Sequence, residues 1–412
     1  MAYTETTTTG YGTRVKNSFG GIVTGFVMFC LATALLWWNE GRAVKTDKML
    51  NEAEKVCVVM ENPQKKDAAL DGELVCATAV ATTEDSLVDN QYGIGAKAIS
   101  LQRRVEYYQW TEESESKSED KLGGKEVTTT TYTYKRDWVR EPVASDEFKD
   151  PAYRGRNFVL TTVEESDQWA GNVTFGAYTL NESLIHRISS VEDMVLDIDS
   201  ARIAAWNKEV ALVAARQSGE EPDSQDRIHV SGNQVYYGLT PSSPAVGDVR
   251  VTFEKVVPAK VTLISQVDGE TFKPFKSKNG KRFQTLVMGK KDAAEIFEAE
   301  HETNNMWLWV LRILGVLFVI GGLKSIFGIF ETLLKVVPFL SSILGWGVGL
   351  VCTVVGIVWS IIIIALAWLF YRPLLGIGLL AVAAFLIWLF AFKGKSKLKE
   401  LAAANQRAEA EV

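Results

Sequence analysis

Four charged residues lie inside long apolar stretches near the end of the chain: Arg312, Lys324, Glu331 and Lys335. The last three are spaced at i, i+7 and i+11, so at about 100° per residue they form one narrow polar stripe on a helix. Glu331 and Lys335 are also i, i+4 neighbours that could form an ion pair. This pattern predicts an amphipathic helix in the membrane interface. The alternative is the water-exposed end of a membrane span.

Arg312 lies only a few residues inside its apolar run. An arginine at the centre of a span costs roughly 2.5–3.5 kcal/mol, so such side chains extend to the head-group layer, pair with an acid or line an ion path. We expect Arg312 to extend to the head groups because it is close to the end of the run.

The remaining reactive side chains suggest little chemistry. Cys57 and Cys76 lie on predicted strands close in sequence and could form a disulfide in an oxidising compartment, the alternative being two buried thiols. The three histidines lie far apart and lack metal-ligand spacing. No P-loop, G-x-S-x-G, H-E-x-x-H or C-x-x-C motif is present. We therefore predict no catalytic, cofactor-binding or metal-binding residue, and a protein that is not an enzyme.

Charge also limits the partners. The chain of 412 residues has a net charge of −6, and its basic residues are dispersed among acids. Nucleic acid is therefore not an expected partner.

Four stretches are apolar enough to cross a bilayer, since about twenty apolar residues suffice for a helix. They are Phe19–Trp38, Trp307–Leu323, Ser342–Phe370 and Leu374–Phe392. The first exceeds the usual apolar core of a signal peptide and lacks a cleavage site, so we predict an uncleaved helix. Aromatic residues at the ends of the runs suit the membrane interface. The predicted anchors are Trp37, Trp38, Trp307 and Tyr371.

The region from Gly41 to Asn305 has mostly the alternating pattern of strands, separated by Asp-Gly, Gly-Gly and Asn-Gly turns. Arg103–Trp110 and Thr128–Trp138 flank a charged segment, which predicts a long antiparallel hairpin with a solvated tip. Two helices interrupt the strands. Ser200 could cap a helix that continues to about Arg216, and Asp292–Asn305 could continue directly into the membrane.

The orientation follows from the positively charged flanks, which favour the cytoplasm. Lys393, Lys395, Lys397 and Lys399 follow the last apolar run directly. With four spans, both termini are then cytoplasmic and the middle region is lumenal or periplasmic. The compartment would be the endoplasmic reticulum or inner nuclear membrane of a eukaryote, or the inner membrane of a bacterium.

The predicted fold is an α + β membrane protein. It has one N-terminal and three C-terminal transmembrane helices. A large β-rich extracytoplasmic domain lies in the sequence between the first and second helix. The predicted divisions are a cytoplasmic tail at 1–18, span 1 at 19–38, the β-rich domain at 39–305, span 2 at 306–323, the interfacial helix and linker at 324–341, span 3 at 342–370, span 4 at 374–392 and a cytoplasmic tail at 393–412.

Several segments together resemble the LUMA family, also called the transmembrane protein 43 family. They are Asn39–Ala43, Val105–Trp110, Gly247–Val251, Pro274–Gly280 and Trp368–Leu374, in the family's order over nearly the whole chain. The resemblance implies the same four-span layout. It also implies self-association and the organisation of membrane protein assemblies in endoplasmic reticulum and inner nuclear membranes, and a cation-channel role has been proposed for the family. It supplies no catalytic residue.

We therefore predict a non-enzymatic scaffold of a membrane protein assembly. Its expected partners are the lipid bilayer, further copies of the same chain and other membrane proteins. One alternative is a cation channel in which Arg312 and the polar stripe face water. The other is a lipid-modifying membrane enzyme.

Overall fold

The structure, a computed structural model, describes residues 2–334 and 338–371, together with 377–378, 381–382, 384–385 and 388. Its helices are α1 (Tyr11–Val56), α2 (Glu182–Ile185), α3 (Ser200–Ser218), α4 (Ala293–Leu334) and α5 (Pro338–Tyr371). Stretches of α1, α4 and α5 are long and apolar enough to cross a membrane, and they coincide with three of the four predicted spans. The fourth, 374–392, lies largely outside the described residues, as does the 393–412 tail.

Two of the long helices extend well beyond their apolar segments. Helix α1 continues past Trp38 to Val56. Helix α4 begins at Ala293, so the helix predicted over Asp292–Asn305 continues without a break into the apolar segment. Helix α4 also continues to Leu334, because no proline interrupts it before Pro338. The segment from Lys324 to Leu334 is thus the end of α4 and no separate element. Whether it lies in the interface stays a prediction, and Lys335 is outside the described residues.

The strands occupy the sequence between α1 and α4, with one further strand before α1. Their bounds are β1 Ala2–Thr9, β2 Val58–Met60, β3 Leu74–Thr82, β4 Ser86–Asp89, β5 Ile94–Lys97, β6 Ser100–Asp120, β7 Glu126–Val139, β8 Ser166–Trp169, β9 Thr174–Phe175, β10 Tyr178–Thr179, β11 Val191–Asp193, β12 Ile228–Ser231, β13 Gln234–Tyr237, β14 Val249–Val256, β15 Ala259–Asp268, β16 Thr271–Lys273, β17 Phe275–Lys276, β18 Arg282–Phe283 and β19 Thr285–Met288.

Two sheets account for most of these strands. An eight-stranded sheet has the order β1-β7-β6-β14-β13-β12, with β8 paired to β6 and β11 to β14. A seven-stranded sheet has the order β10-β9-β3-β15-β16, with β2 paired to β3 and β19 to β15. The predicted long hairpin is confirmed as β6 and β7. Each sheet has its own apolar core, one around Val105 and Phe253 and the other around Val75 and Leu263.

The chain divides into two compact units. The β-rich unit contains Met1–Glu5, Asn51–Ser116 and Thr129–Glu298. The helical unit contains the described residues of Thr6–Leu50, Lys117–Thr128 and Ala299–Val412. In the helical unit, Ala32 and Leu36 of α1, Val319 and Leu323 of α4 and Ile363 of α5 form a common apolar core.

The N-terminus and the hairpin tip differ from expectation. Residues 2–9, predicted as part of a tail, form β1 beside β7, because an alternating threonine-rich segment has a high strand propensity. The hairpin tip, predicted to be solvated, contacts the start of α1. There Arg14 is buried and its Nη2 lies 2.7 Å from Asp120 Oδ1. These contacts disagree with the charge-based orientation, which puts the N-terminus and the middle region on opposite sides of the bilayer.

Candidate functional site

A buried ion pair joins α1 and α4 inside the helical unit. Arg312 Nε donates to Glu40 Oε1 over 2.6 Å, and Arg312 Nη2 donates to Glu40 Oε2 over 2.9 Å. Only 11% of the Arg312 side chain and none of the Glu40 side chain are exposed. The two-point geometry is that of a bidentate guanidinium–carboxylate pair, the strongest form of this contact. Arg312 therefore pairs across helices, and the prediction that it extends to the head groups is wrong.

Helix α5 completes this cluster through Trp368. Its indole Nε1 donates a hydrogen bond to Glu40 Oε2. The Arg312 guanidinium lies over two indole rings, 4.8 Å from the centre of Trp309 and 5.3 Å from the centre of Trp368. Cation–π contacts of this kind strengthen when water is excluded. We call Glu40, Arg312, Trp309 and Trp368 the polar node, because they bring all three long helices together.

Amides extend the node along α1 and α4. Asn39 Nδ2 donates to the backbone oxygen of Leu308 over 3.0 Å. Arg42 Nη1 donates to Asn304 Oδ1 over 3.2 Å, and Asn304 Nδ2 donates to the backbone oxygen of Ala43 over 3.0 Å. Polar side chains near the end of a span thus find partners on the neighbouring helix, which avoids the cost of unsatisfied groups near hydrocarbon.

The predicted interface anchors divide into two pairs. Trp37 packs edge-on against Phe370 at 5.4 Å between ring centres, and Tyr371 packs against Gly41. A Cβ atom at Gly41 would lie 2.6 Å from Tyr371 Oη, so any larger residue there would displace the tyrosine ring. Trp38 and Trp307 are 57% and 49% exposed. Those two remain free to meet the head-group layer, whereas Trp37 and Tyr371 are part of the packing between helices.

Glycines bring the long helices into close contact. A Cβ atom at Gly322 of α4 would lie 2.8 Å from the backbone oxygen of Gly25 of α1. Similarly, a Cβ at Gly356 of α5 would lie 2.7 Å from Ile320 of α4. These glycines pack within the chain, in the manner of small-residue interfaces between membrane helices.

A cavity of about 500 Å³ lies beside the node. Arg312, Trp309 and Trp368 line one part of it, and Asp47, His301 and Glu302 line another. His301 Nδ1 lies 3.2 Å from Asp47 Oδ1, a second polar contact between α4 and α1. In the part of the chain that the structure describes, no group of three or more His, Cys, Asp or Glu side chains could hold a metal ion.

Cys57 and Cys76, for which the sequence left open a disulfide or two buried thiols, are free thiols in the β-rich unit. Cys57 lies between the end of α1 at Val56 and the start of β2 at Val58. Cys76 lies on β3, where the parallel pairing of β2 with β3 sets it opposite Val59. Burial raises the pKa of Cys57 to about 12, with a further contribution from the Cys76 thiol. Burial also raises the pKa of Cys76 to about 11. Both thiols are therefore poor nucleophiles at neutral pH, because the thiolate is the reactive form.

The sequence did not identify Glu40 or Trp368 as site residues. The signal that could have revealed Glu40 is an acid immediately after the first apolar run, in a chain with a single arginine inside the second. Lys324, by contrast, is exposed, and Glu331 is half-buried seven residues further along α4. Neither belongs to the node.

Three apolar helices joined by a polar node, with a β-rich region between the first and second, define an integral membrane protein. The family model described as Transmembrane protein 43 matches residues 107–373. Transmembrane protein 43 of Rattus norvegicus is 30% identical over 392 residues, covering 92% of each chain. The human protein is 29% identical over 377 residues, covering 89% of this chain and 88% of its own. The chain belongs to the Transmembrane protein 43 family, which is the LUMA family.

A more distant relative is the Transmembrane protein 43 homolog of Drosophila melanogaster, 25% identical over 367 residues, covering 87% of this chain and 91% of its own. No solved structure matches the chain.

Proposed function

We propose that the chain is a non-enzymatic scaffold that self-associates and organises other proteins in a membrane. The observation that carries this proposal is the bidentate pair between Arg312 and Glu40. Both charges are used to hold α1 against α4, and Trp368 attaches α5 to the same carboxylate. A pair held in this way favours one fixed arrangement of the three helices. A fixed helical unit with a folded β-rich unit in the same chain suits a scaffold.

The same pair bears on the alternative of a cation pore. A pore lined by Arg312 would need the guanidinium to face water, whereas here the side chain is 11% exposed and held between two indoles. Within the apolar part of α4, the Lys324 side chain is exposed instead. The geometry of the node therefore favours the scaffold over a pore lined by Arg312.

Self-association can be tested with a residue that the chain already carries. Cys30 is an exposed free thiol on the part of α1 where Val23, Val27 and Leu31 are also exposed. We expect a bis-maleimide added to native membranes to cross-link two chains through Cys30, and the variant Cys30→Ser to abolish the product. Light scattering of the full chain in mild detergent should give more than the monomer mass. A monomer at every concentration, with no cross-linked product, would refute self-association.

The orientation is also part of the proposal: both termini cytoplasmic and the middle region lumenal or periplasmic. Lipid does not tolerate the charged hairpin tip, since charged side chains and open strand edges are excluded from the hydrocarbon. We therefore expect the contact of Arg14 with Asp120 to be absent once a bilayer surrounds the apolar segment of α1.

A glycosylation assay in microsomes distinguishes these arrangements. Asn172-Val173-Thr174 is an N-glycosylation acceptor, and Asn172 is exposed. We expect a lumenal transferase to modify Asn172, and the variant Asn172→Gln/Asn181→Gln to remove the mobility shift, since Asn181-Glu182-Ser183 is a second acceptor. An acceptor introduced into residues 2–9 should stay unmodified. Modification of that acceptor would contradict the orientation, because it would put the N-terminus in the lumen.

A further inference from the structure

The cavity beside the polar node is lined by charged side chains at both ends, Arg312 with Glu40 at one end and Asp47 with Glu302 at the other. Arg312 lies in the apolar part of α4, and Glu302 is ten residues nearer the start of that helix. On α1, Asp47 lies seven residues beyond Glu40, in the direction away from the apolar run. At a rise of about 1.5 Å per residue, these separations along the helices are roughly 15 and 10 Å. The guanidinium is therefore deep and the carboxylates are further from the hydrocarbon.

Two of the groups that line the cavity, Arg312 and Glu302, retain capacity for a ligand. Arg312 uses Nε and Nη2 to bind Glu40, and among the described residues no hydrogen bond involves its Nη1. Glu302 makes no hydrogen bond or ion pair within the described part of the chain. The lining contains three carboxylates, those of Glu40, Asp47 and Glu302, and one guanidinium, so the cavity has an excess of negative charge. The indole of Trp309 adds an aromatic surface suited to a cation.

We propose that this cavity binds a zwitterionic head group, a phosphate ester joined to an ammonium group, supplied by a membrane phospholipid. In a lipid leaflet the phosphate is attached on the glycerol side and the ammonium points toward water. This order matches the deep guanidinium and the outer carboxylates Asp47 and Glu302. A volume of about 500 Å³ is within the range of small-ligand pockets. The excess negative charge disfavours a purely anionic head group, and the lack of a metal-ligand cluster among the described residues disfavours a bare divalent cation.

The proposal is tested by native mass spectrometry of the full chain in detergent. The probes are phosphatidylcholine, phosphatidylglycerol and soluble phosphocholine, each at the same concentration. We expect one phosphatidylcholine per chain, retained about fivefold more than phosphatidylglycerol, which is the factor for an interfacial ion pair. The double variant Asp47→Asn/Glu302→Gln should lose this preference. Its matched control is Glu54→Gln/Glu298→Gln, two exposed acids on the same helices outside the cavity.

Each outcome has a clear meaning. Equal retention of the two lipids, or an unchanged preference in the double variant, would overturn the proposal. Binding of phosphocholine without binding of the lipid would contradict a membrane phospholipid as the ligand. It would instead indicate a site for a soluble phosphate ester with an ammonium group. If the double variant does not fold, Glu302→Gln alone replaces it, because that side chain has no partner to lose among the described residues. The lipid is counted per chain, so the result is independent of self-association and of the scaffold proposal.

Discussion

Removing the charge of Arg312 should strongly destabilise the helical unit. In the variant Arg312→Met, Glu40 would stay buried with no exposed side-chain surface and would keep only the indole donor of Trp368. Removing one partner of a buried ion pair costs about 3–5 kcal/mol, because it leaves an uncompensated charge. Since methionine also loses the contacts with two indoles, we expect a loss near 4 kcal/mol in the free energy of unfolding.

A double-mutant cycle separates this pair from the general effect of the substitution. The variants are Arg312→Met, Glu40→Gln and the two combined, purified in the same detergent micelles. The assay is denaturant unfolding followed by tryptophan fluorescence, to which Trp309 and Trp368 contribute among the twelve tryptophans of the chain. We expect the combined variant to be more stable than the sum of the two losses predicts, with a coupling energy of about 1–3 kcal/mol. The control is Lys324→Met, an exposed charge on the same helix, with an expected effect within about 0.5 kcal/mol.

A small loss of stability in Arg312→Met would contradict a structural role for the ion pair. If Arg312→Met costs less than about 1 kcal/mol and the coupling energy is near zero, the pair behaves like an exposed salt bridge. The node would then not hold α1 to α4, and the observation that carries the scaffold proposal would be lost.

Three further predictions concern packing, pH and redox state. Gly322→Leu should prevent native packing, because even its Cβ would lie 2.8 Å from the backbone of α1. Gly328→Leu is the control and should be tolerated, since nothing lies within 4 Å of a Cβ there. Thermal unfolding of the two variants checks this. Burial raises the pKa of Asp248 above its ordinary value of 3.8. The stability of the β-rich unit should therefore fall as the pH rises through that raised pKa, and Asp248→Asn should remove this dependence in denaturant unfolding at several pH values. Finally, Cys57 and Cys76 should both be alkylated after denaturation without reductant, and a peptide containing a bridge between them would contradict this.

Local features of the fold could be predicted from the sequence. The helix predicted from Ser200 to about Arg216 is α3, Ser200–Ser218, except that Asp199 is the capping residue. The cap moved by one residue because the Asp199 carboxylate accepts from the backbone of Ala201. The spans could also be located, because a run of uncharged residues identifies a membrane helix without knowledge of its neighbours.

Contacts between distant segments could not be predicted. Glu40 and Arg312 are 272 residues apart in the chain. Nothing in the periodicity of either helix indicates which face meets the other. For Arg312, extension to the head groups and pairing with an acid were both consistent with its position near the end of a run. The presence of an acid on the adjoining helix decides between them, and only the folded chain provides that information.

Four of the five segments that carry the family resemblance meet in pairs at two places. Asn39–Ala43 on α1 and Trp368–Tyr371 on α5 meet at the polar node, through Glu40 with Trp368 and Gly41 with Tyr371. In the β-rich unit, Val105–Trp110 on β6 lies beside the segment that contains Val249–Val251 on β14.

Between β6 and the segment that contains β14, Arg250 Nε donates to Glu106 Oε2 over 2.5 Å. The backbone N–H of Tyr108 donates to the backbone carbonyl oxygen of Asp248 over 2.9 Å. At both places, residues far apart in the chain make an ion pair or hydrogen bonds that fix how elements pack. These segments therefore specify contacts within the structure, as expected when the function depends on a fixed arrangement of helices and strands.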